Sequence, residues 1–425
     1  MDSESVDLIY LDPPFNSGKQ WKNPVEADGK KAVASFKDTW ALSDTHADEE
    51  YSLVSQYPAA LPLIDALYAV NGGSWKAYLI YMGVRLAEMR RILKPTGGIY
   101  YHCDPVMSHG VKLLMDAIFN KGNFINEIVW YYTGGTDRSV GFQRKHDIIL
   151  YYGKKSRETV FNPVSVDFSP ATIKRFNRID KDGRRYKINS LSDGRVTRTY
   201  MKEGGKLAPD YWDFPIVNKT YTESTGYPTQ KPIALLERIV KASSNEGGLI
   251  LDPFCGCATT CFAAEKWERQ WIGIDLAEEA ASLIVARLRK DGEQRLDFAA
   301  YEVEHLWNFP KRADLPKRTD NAVLKPRLHK RQNGKCAAPC GENDEGREVP
   351  IDLMDFDHII AKSRGGQDTD DNIQLLCRNC NTTKGGKGME YLRRRILQRR
   401  SEEAMRLWRE KWQKQKAKAD SRRGE

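Results

Sequence analysis

A chain of 425 residues is long enough for two or three domains, and a hydrophobic fraction of 40% is that of a globular protein. No apolar run is long enough to cross a bilayer and the first residues are acidic and polar, which excludes a signal peptide; a cytoplasmic protein with no membrane partner is expected. The net charge of +9, concentrated late in the chain, suits a polyanionic partner.

The first predicted element is the apolar, β-branched run Val6–Leu11, a buried parallel strand that stops at Asp12-Pro13-Pro14-Phe15. Residues 16–74 read as a long irregular stretch, of a length that usually serves a site. Trp75, Leu79, Met82, Leu86 and Leu93 then recur at helical spacing, up to the stop signal Pro95-Thr96-Gly97-Gly98. A strand Ile99–Cys103 and an amphipathic helix Val111–Phe119 follow. This alternation predicts a doubly wound α/β sheet. Between about 126 and 226, the strand candidates Glu127–Tyr131 and Asp147–Tyr152 are separated by basic loops. Helix–sheet alternation resumes with a helix Pro232–Ser243, a strand Leu249–Leu251, a helix from Thr259 and a strand Trp271–Ile274 that ends at Asp275. Residues 305–333, rich in Pro, Lys and Arg, read as a semi-extended basic linker. A compact Cys-rich module fills 334–388. Beyond it, Met405, Trp408 and Trp412 share one face of a basic helix that caps the module and frays into a tail.

The Asp12–Phe15 turn sits where open α/β sheets bind ligands, beyond the carboxyl end of a strand. Two consecutive prolines hold it rigid with its carbonyls outward, so one small volume offers a carboxylate, a fixed carbonyl and an aromatic face. Those groups suit the exocyclic amine of a nucleobase, whose lone pair is delocalised into the ring. Acceptors around its two hydrogens free the lone pair, while a ring stacks on the flipped base. The plainer alternative is a turn that merely starts a loop. A second strand end supports the first reading. LILDPFCGCATT, Leu249 to Thr260, passes from strand through a tight turn into a helix, and Asp275 follows Gly256 at the spacing of an acid that accepts ribose hydroxyls. The three glycines of a dinucleotide site are not there. S-adenosylmethionine, which carries no phosphate, does not require them.

DPPF followed much later by DPFCG, with PTQKP (Pro228 to Pro232) between, resembles the β group of DNA amino-methyltransferases, over roughly Val6 to Arg289. LKPTGGIYYHCD (Leu93–Asp104) and HDIILYY (His146–Tyr152) fit the same pattern. The resemblance implies a Rossmann-like, S-adenosylmethionine-dependent sheet with a β-rich recognition insertion, acting on double-stranded DNA. It implies that Asp12, Pro13 and Pro14 shape the amine site and that Phe15 stacks on the base. Asp252, Pro253, Phe254, Cys255 and Gly256 would hold the methionine end of the cofactor, Asp275 the ribose, and Thr229, Lys231 and Pro232 the cofactor's rim. Asp at the first turn position favours adenine over cytosine. Family members normally carry a further strand and helix before this point, whereas five residues precede Val6; weakened cofactor affinity is therefore expected.

Within the presumed insertion, Trp130, Tyr131, Tyr132, Phe142, Tyr186 and Trp212 mix with Arg138, Arg144, Lys145, Arg184 and Arg185, a composition suited to phosphates and guanine edges or, more plainly, to a solvated charged face. Of the eight cysteines, Cys103, Cys255, Cys257 and Cys261 lie among apolar residues and read as small core hydrophobes. Cys336, Cys340, Cys377 and Cys380 form two close pairs and suit one tetrahedral Zn²⁺ that staples a small module. Between the pairs lie Asp357-His358 and Asn372, able to serve as cation ligand, general base and orienting amide. With CRNCNTTKG, this resembles the HNH, or ββα-metal, nuclease family. The resemblance implies His358 as base, Asp357 and Asn381 as ligands of Mg²⁺ or a similar divalent cation, and Asn372 as orienter. Asn381 departs from the His of many relatives, and an amide oxygen is the weaker ligand.

The expected domains are thus 1–125 and 227–304 for the two methyltransferase halves, 126–226 for DNA recognition, 305–333 for the linker, 334–388 for the nuclease module and 389–425 for the basic helix and tail. A methyltransferase fused to a nuclease suits restriction–modification or a phage or mobile-element protein. Two alternatives stay open: a nuclease or DNA-binding protein whose methyltransferase half is inactive, and methylation of a protein or RNA. A homodimer is also left open.

Overall fold

The computed structural model describes residues 1–27, 30–44, 47–133, 140–217, 223–276, 317–341, 345–359 and 366–385, with further single residues between 284 and 406. Strand β1 (Val6–Leu11) is apolar on both faces because both are covered. Val6, Leu8, Ile9, Tyr10 and Leu11 are all buried. After the Asp12–Phe15 turn comes an antiparallel hairpin, β2 (Lys19–Ala27) and β3 (Lys30–Asp38), in which Ala27 faces Lys30. Helices α1 (Ala47–Gln56), α2 (Ala60–Asn71) and α3 (Gly73–Ile92) follow. The irregular stretch expected over 16–74 is therefore largely regular. The mixed composition around its strands hid their pattern.

The helix expected to reach Leu93 ends at Ile92, and β4 (Leu93–Cys103) begins at once. The Pro95–Gly98 signal acts inside the strand. Val6 pairs with Leu93 and Leu8 with Gly98, so β4 bulges outward across the prolyl segment before rejoining the ladder. Next come α4 (Ser108–Met115), continued by one π-helical turn at Asp116–Asn120, then β5 (Phe124–Tyr131) and β6 (His146–Gly153). Both strands pair within the main sheet, so the sheet continues past residue 126, where a separate β-rich segment was expected. Trp130 and Trp212 are buried in its core and are not surface readers.

Between β6 and the next large helix lie short pieces: β7 (Ser165–Val166), α5 (Pro170–Arg175), β8 (Arg178–Ile179), β9 (Arg185–Ser190), β10 (Val196–Tyr200), β11 (Lys206–Leu207) and β12 (Tyr211–Asp213). Strands β8, β9 and β10 form a small exposed antiparallel sheet of their own. Then α6 (Ile233–Ser243), β13 (Leu249–Asp252), α7 (Thr259–Lys266) and β14 (Gln270–Gly273) complete the described sheet, whose order is β12-β5-β6-β4-β1-β13-β14. Strands β1, β4, β13 and β14 run parallel, while β6 is antiparallel to its neighbours. Leu235, Leu236, Ile239 and Val240 of α6 and Ala263 and Ala264 of α7 pack on Leu8, Tyr10 and Ile250 of the sheet. Cys103, Cys255, Cys257 and Cys261 are buried, as their apolar surroundings foretold.

The chain divides into two units: residues 3–40 with 85–310, and residues 41–84 with 311–425. In the second, α8 (Asn321–Arg331) occupies the stretch expected to be an extended linker. Asp320 caps it by accepting from Ala322 N–H (2.8 Å), and Leu324 and Leu328, one turn apart, are buried in the module's core. Residues 305–316 lie outside the described residues, as do Trp408 and Trp412 of the expected capping helix. Strands β15 (Met354–His358) and β16 (Ile373–Cys377) pair antiparallel and lead into α9 (Arg378–Lys384), the ββα arrangement. Gln332 behaves as a surrogate strand here. Its amide oxygen accepts from Leu375 N–H (2.8 Å) and its nitrogen donates to Leu375 O (2.9 Å).

Candidate active site

Parallel pairing sets the first site. Leu8 lies beside Ile250 and Ile9 beside Leu251, so the turns that leave β1 and β13 open at the same carboxyl edge of the sheet. Behind Phe15, Asn16 N–H (2.6 Å) and the Ser17 hydroxyl both donate to the carboxylate of Asp38, which is itself buried. The hairpin thus anchors the far end of the turn.

Asp12 is held on one side only. Its Oδ2 accepts from Lys231 Nζ at 2.5 Å, and Lys231 is buried. Its Oδ1 is shielded from solvent and has no hydrogen-bond partner. Lys231 is aimed by the PTQKP loop: Thr229 adopts φ +60°, its carbonyl accepts from Lys231 Nζ (3.3 Å), and Gln230 knots the loop to Thr225 and Glu223. The sequence placed Lys231 with the cofactor's rim; its ammonium is on the Asp12 carboxylate.

Sequence reasoning passed over the groups behind Asp12. His102 of β4 is fully buried, stacks on Phe15 (centroids 5.8 Å apart) and meets the edge of Trp130 (5.4 Å). Its Nδ1 bonds the Tyr10 hydroxyl (2.8 Å) and lies 3.9 Å from Asp12 Oδ1; its Nε2 bonds Asp147 Oδ2 (3.2 Å). Asp147 also accepts from the Tyr132 hydroxyl (3.3 Å). Burial pushes the Asp147 carboxyl up, but His102, the nearby Lys231 charge and Tyr132 outweigh it and hold the group below the ordinary carboxylate range. An ionised carboxylate can only accept, so Nε2 carries the hydrogen, and the lone pair of Nδ1 accepts from Tyr10. The signal that could have found His102 is a lone histidine in the apolar run IYYHC.

On the neighbouring turn, Asp252 is buried and its Oδ1 accepts from Phe254 N–H (3.1 Å). Burial, against a bond from Thr260, pushes its carboxyl up to about 7. Gly256 N–H donates to Asp275 Oδ2 (2.8 Å), which ties the loop to the end of β14. Gly256 has φ +51°, and a Cβ there would stand 2.8 Å from the Tyr227 ring. The loop is a cradle in which backbone and the Tyr227 ring lie close together.

The family model for DNA methylases matches residues 6–286. The chain belongs to the N6/N4 DNA methylase family. The model for HNH endonucleases matches residues 336–387, so the methylase carries an HNH domain toward its C-terminus. Relatives include the type II methyltransferase M.HpaI of Haemophilus parainfluenzae, 27% identical over 68% of this chain and 69% of its own. The DNA adenine methyltransferase YhdJ of Escherichia coli (strain K12) is 29% identical over 77% of this chain and 89% of its own. A solved M1.HpyAVI–SAM complex aligns over 67% of this methylase and 90% of that chain, at 19% identity and a TM-score of 0.34.

In the HNH domain, the ligand sulfurs of Cys336, Cys340, Cys377 and Cys380 all lie within 4.8 Å of one another, a spacing that fits a tetrahedral Zn²⁺. Hydrogen bonds from the Cys336 and Cys380 thiols hold the Cys377 thiol far below its ordinary value. The expected divalent-cation pair is not assembled. Asp357 is buried, with Oδ1 on Lys384 Nζ (3.0 Å) and Oδ2 on Gln374 Nε2 (2.8 Å), while the Asn381 amide is directed to Asp355 (3.4 Å). Asp357 and Asn381 as arranged do not fit Mg²⁺. The partner of His358 Nε2 is Asp368 (3.0 Å), which the sequence did not single out; Asn372 donates its side-chain amide to Gln367 O (2.7 Å).

Proposed function

We propose that the chain methylates the N6 amine of an adenine flipped out of duplex DNA, with Asp12 as the acceptor that activates the amine. One observation carries this reading: the buried, unpartnered Oδ1 of Asp12 beside an anchored Oδ2. An orphaned buried acceptor costs about 1–3 kcal/mol, a penalty that a ligand donor at that point would remove. S-adenosylmethionine, when bound, supplies a methyl carbon made electrophilic by its sulfonium. The chain's own part is to hold the base. Lys231 fixes the carboxylate so that Oδ1 faces the amine, Pro13 and Pro14 keep the neighbouring carbonyl rigid, and Phe15, backed by His102, offers a ring. Asp252 to Gly256 and Asp275 would hold the cofactor, with Thr229 and Pro232 at its rim. Adenine is favoured over cytosine by Asp12 itself and by the relative named as an adenine methyltransferase.

Recognition of DNA is assigned to the exposed sheet β8–β9–β10, where Arg198 lies over Tyr186 (5.2 Å), Arg184 over Tyr200 (4.7 Å) and Lys187 over Phe176 (5.6 Å). Such stacked cations suit phosphates and base edges. The four cysteines would hold structural zinc. Metal analysis should find one zinc per chain, lost in Cys377→Ser.

The test is label transfer from S-adenosylmethionine to duplex DNA, followed by nucleoside analysis. N6-methyladenine in wild type and none in Asp12→Ala supports the reading. N4-methylcytosine, or transfer that survives Asp12→Ala, contradicts it.

A further inference from the structure

We propose that His102, clamped by Asp147, takes up the proton that the amine loses on methylation, by way of Asp12 Oδ1. The inference rests on the reading of Asp12 above. The amino nitrogen's lone pair forms the new N–C bond as the S–C bond breaks and its electron pair goes to sulfur. The nitrogen then bears a positive charge and must release one proton, and Asp12 Oδ1 is the acceptor in place to receive it. A protonated Asp12 could not accept from the next substrate, so the proton has to move on.

His102 Nδ1 is the group positioned to take it, 3.9 Å from Oδ1, beyond a hydrogen bond but within reach of a small side-chain rotation. Its lone pair is kept available because Asp147 holds the hydrogen on the other nitrogen. Once Nδ1 is protonated, the Tyr10 hydroxyl turns from donor to acceptor, which needs only rotation about its C–O bond. The geometry supports the transfer as well, since the carboxylates of Asp12 and Asp147 lie 3.9 Å and 3.2 Å from the two ring nitrogens of His102. The other groups against His102, the Phe15 and Trp130 rings, are uncharged. His102 acts through Asp12, so it is a positioning residue and a proton store, not a group that touches substrate.

Multiple-turnover methyl transfer at saturating cofactor and DNA tests this in His102→Asn and Asp147→Asn, with Asp12→Asn in parallel. Each of the first two should slow turnover about a hundredfold, the low end of what positioned proton transfer contributes. The double variant should be no slower than the slower single, since the two residues act as one unit. Cofactor and DNA dissociation constants should match wild type, and the solvent deuterium isotope effect of wild type should change in both variants. Matching cofactor affinity also certifies folding; should His102→Asn fail that check, Asp147→Asn, which keeps the side chain's shape, carries the test. Wild-type rates in the variants beside an inactive Asp12→Asn, or additive losses in the double variant, overturn the relay and leave the base reading intact. Full activity in Asp12→Asn overturns the base reading itself.

Discussion

Two aspartate–lysine pairs, one in the methylase domain and one in the HNH domain, use the same chemistry to opposite ends. Asp357 has both oxygens engaged, by Lys384 and Gln374, and Lys384 is itself nearly inaccessible. Asp12 has one oxygen engaged by Lys231 and the other left empty. A carboxylate whose acceptors are all filled contributes to the fold. One with a vacant, shielded acceptor can take a donor from outside. Lys231 follows Asp12 by 219 positions and Lys384 follows Asp357 by 27, so neither pair shows in the local sequence.

The comparison can be broken most sharply at Lys384. Lys384→Met should destabilise the HNH domain by about 3–5 kcal/mol, because it leaves the buried Asp357 charge uncompensated; urea or thermal denaturation followed on the domain's own transition measures it. The same change at Lys231 should act on chemistry instead. Asp12 keeps some solvent access, so Lys231→Met should lower single-turnover methylation about tenfold or more while shifting the melting midpoint far less than Lys384→Met does. Equal midpoint shifts with unchanged methylation would erase the distinction.

An effect confined to pH dependence is expected at Asp252. Its folded carboxyl, pushed up to about 7 by burial, lies above its unfolded value. The folded state therefore binds the extra proton between the two values, and stability falls as pH rises through that window. Asp252→Asn removes the dependence. The stability of the variant relative to wild type should rise between about pH 4 and pH 7 and level off above it. Melting curves across that range that stay parallel would argue against a buried, titrating Asp252.

Much of the scaffold was legible because long-range order writes itself into local pattern. Val6–Leu11, Leu249–Asp252 and the Cys pairs are apolar or ligand runs whose type admits few alternatives. The 16–74 region was missed because its two polar strands show little periodicity, and the linker helix was missed because basic residues masked the Leu324–Leu328 pair. The site was half legible. Asp12 and Gly256 belong to contiguous motifs. His102, Asp147 and Lys231 come from three distant segments that meet only when β4, β6 and the PTQKP loop gather behind β1, and no local spacing announces that. The contacts of Asp357 were not legible, since its partners Gln374 and Lys384 follow it by 17 and 27 positions.

The most direct test is a crystal structure of the chain with duplex DNA and a non-reactive cofactor analogue. The account predicts an extruded adenine with its amino nitrogen about 3 Å from Asp12 Oδ1, and Lys231 still on Oδ2. An extruded base whose amine leaves Oδ1 empty, or Oδ1 taken by one of the chain's own donors, would contradict it.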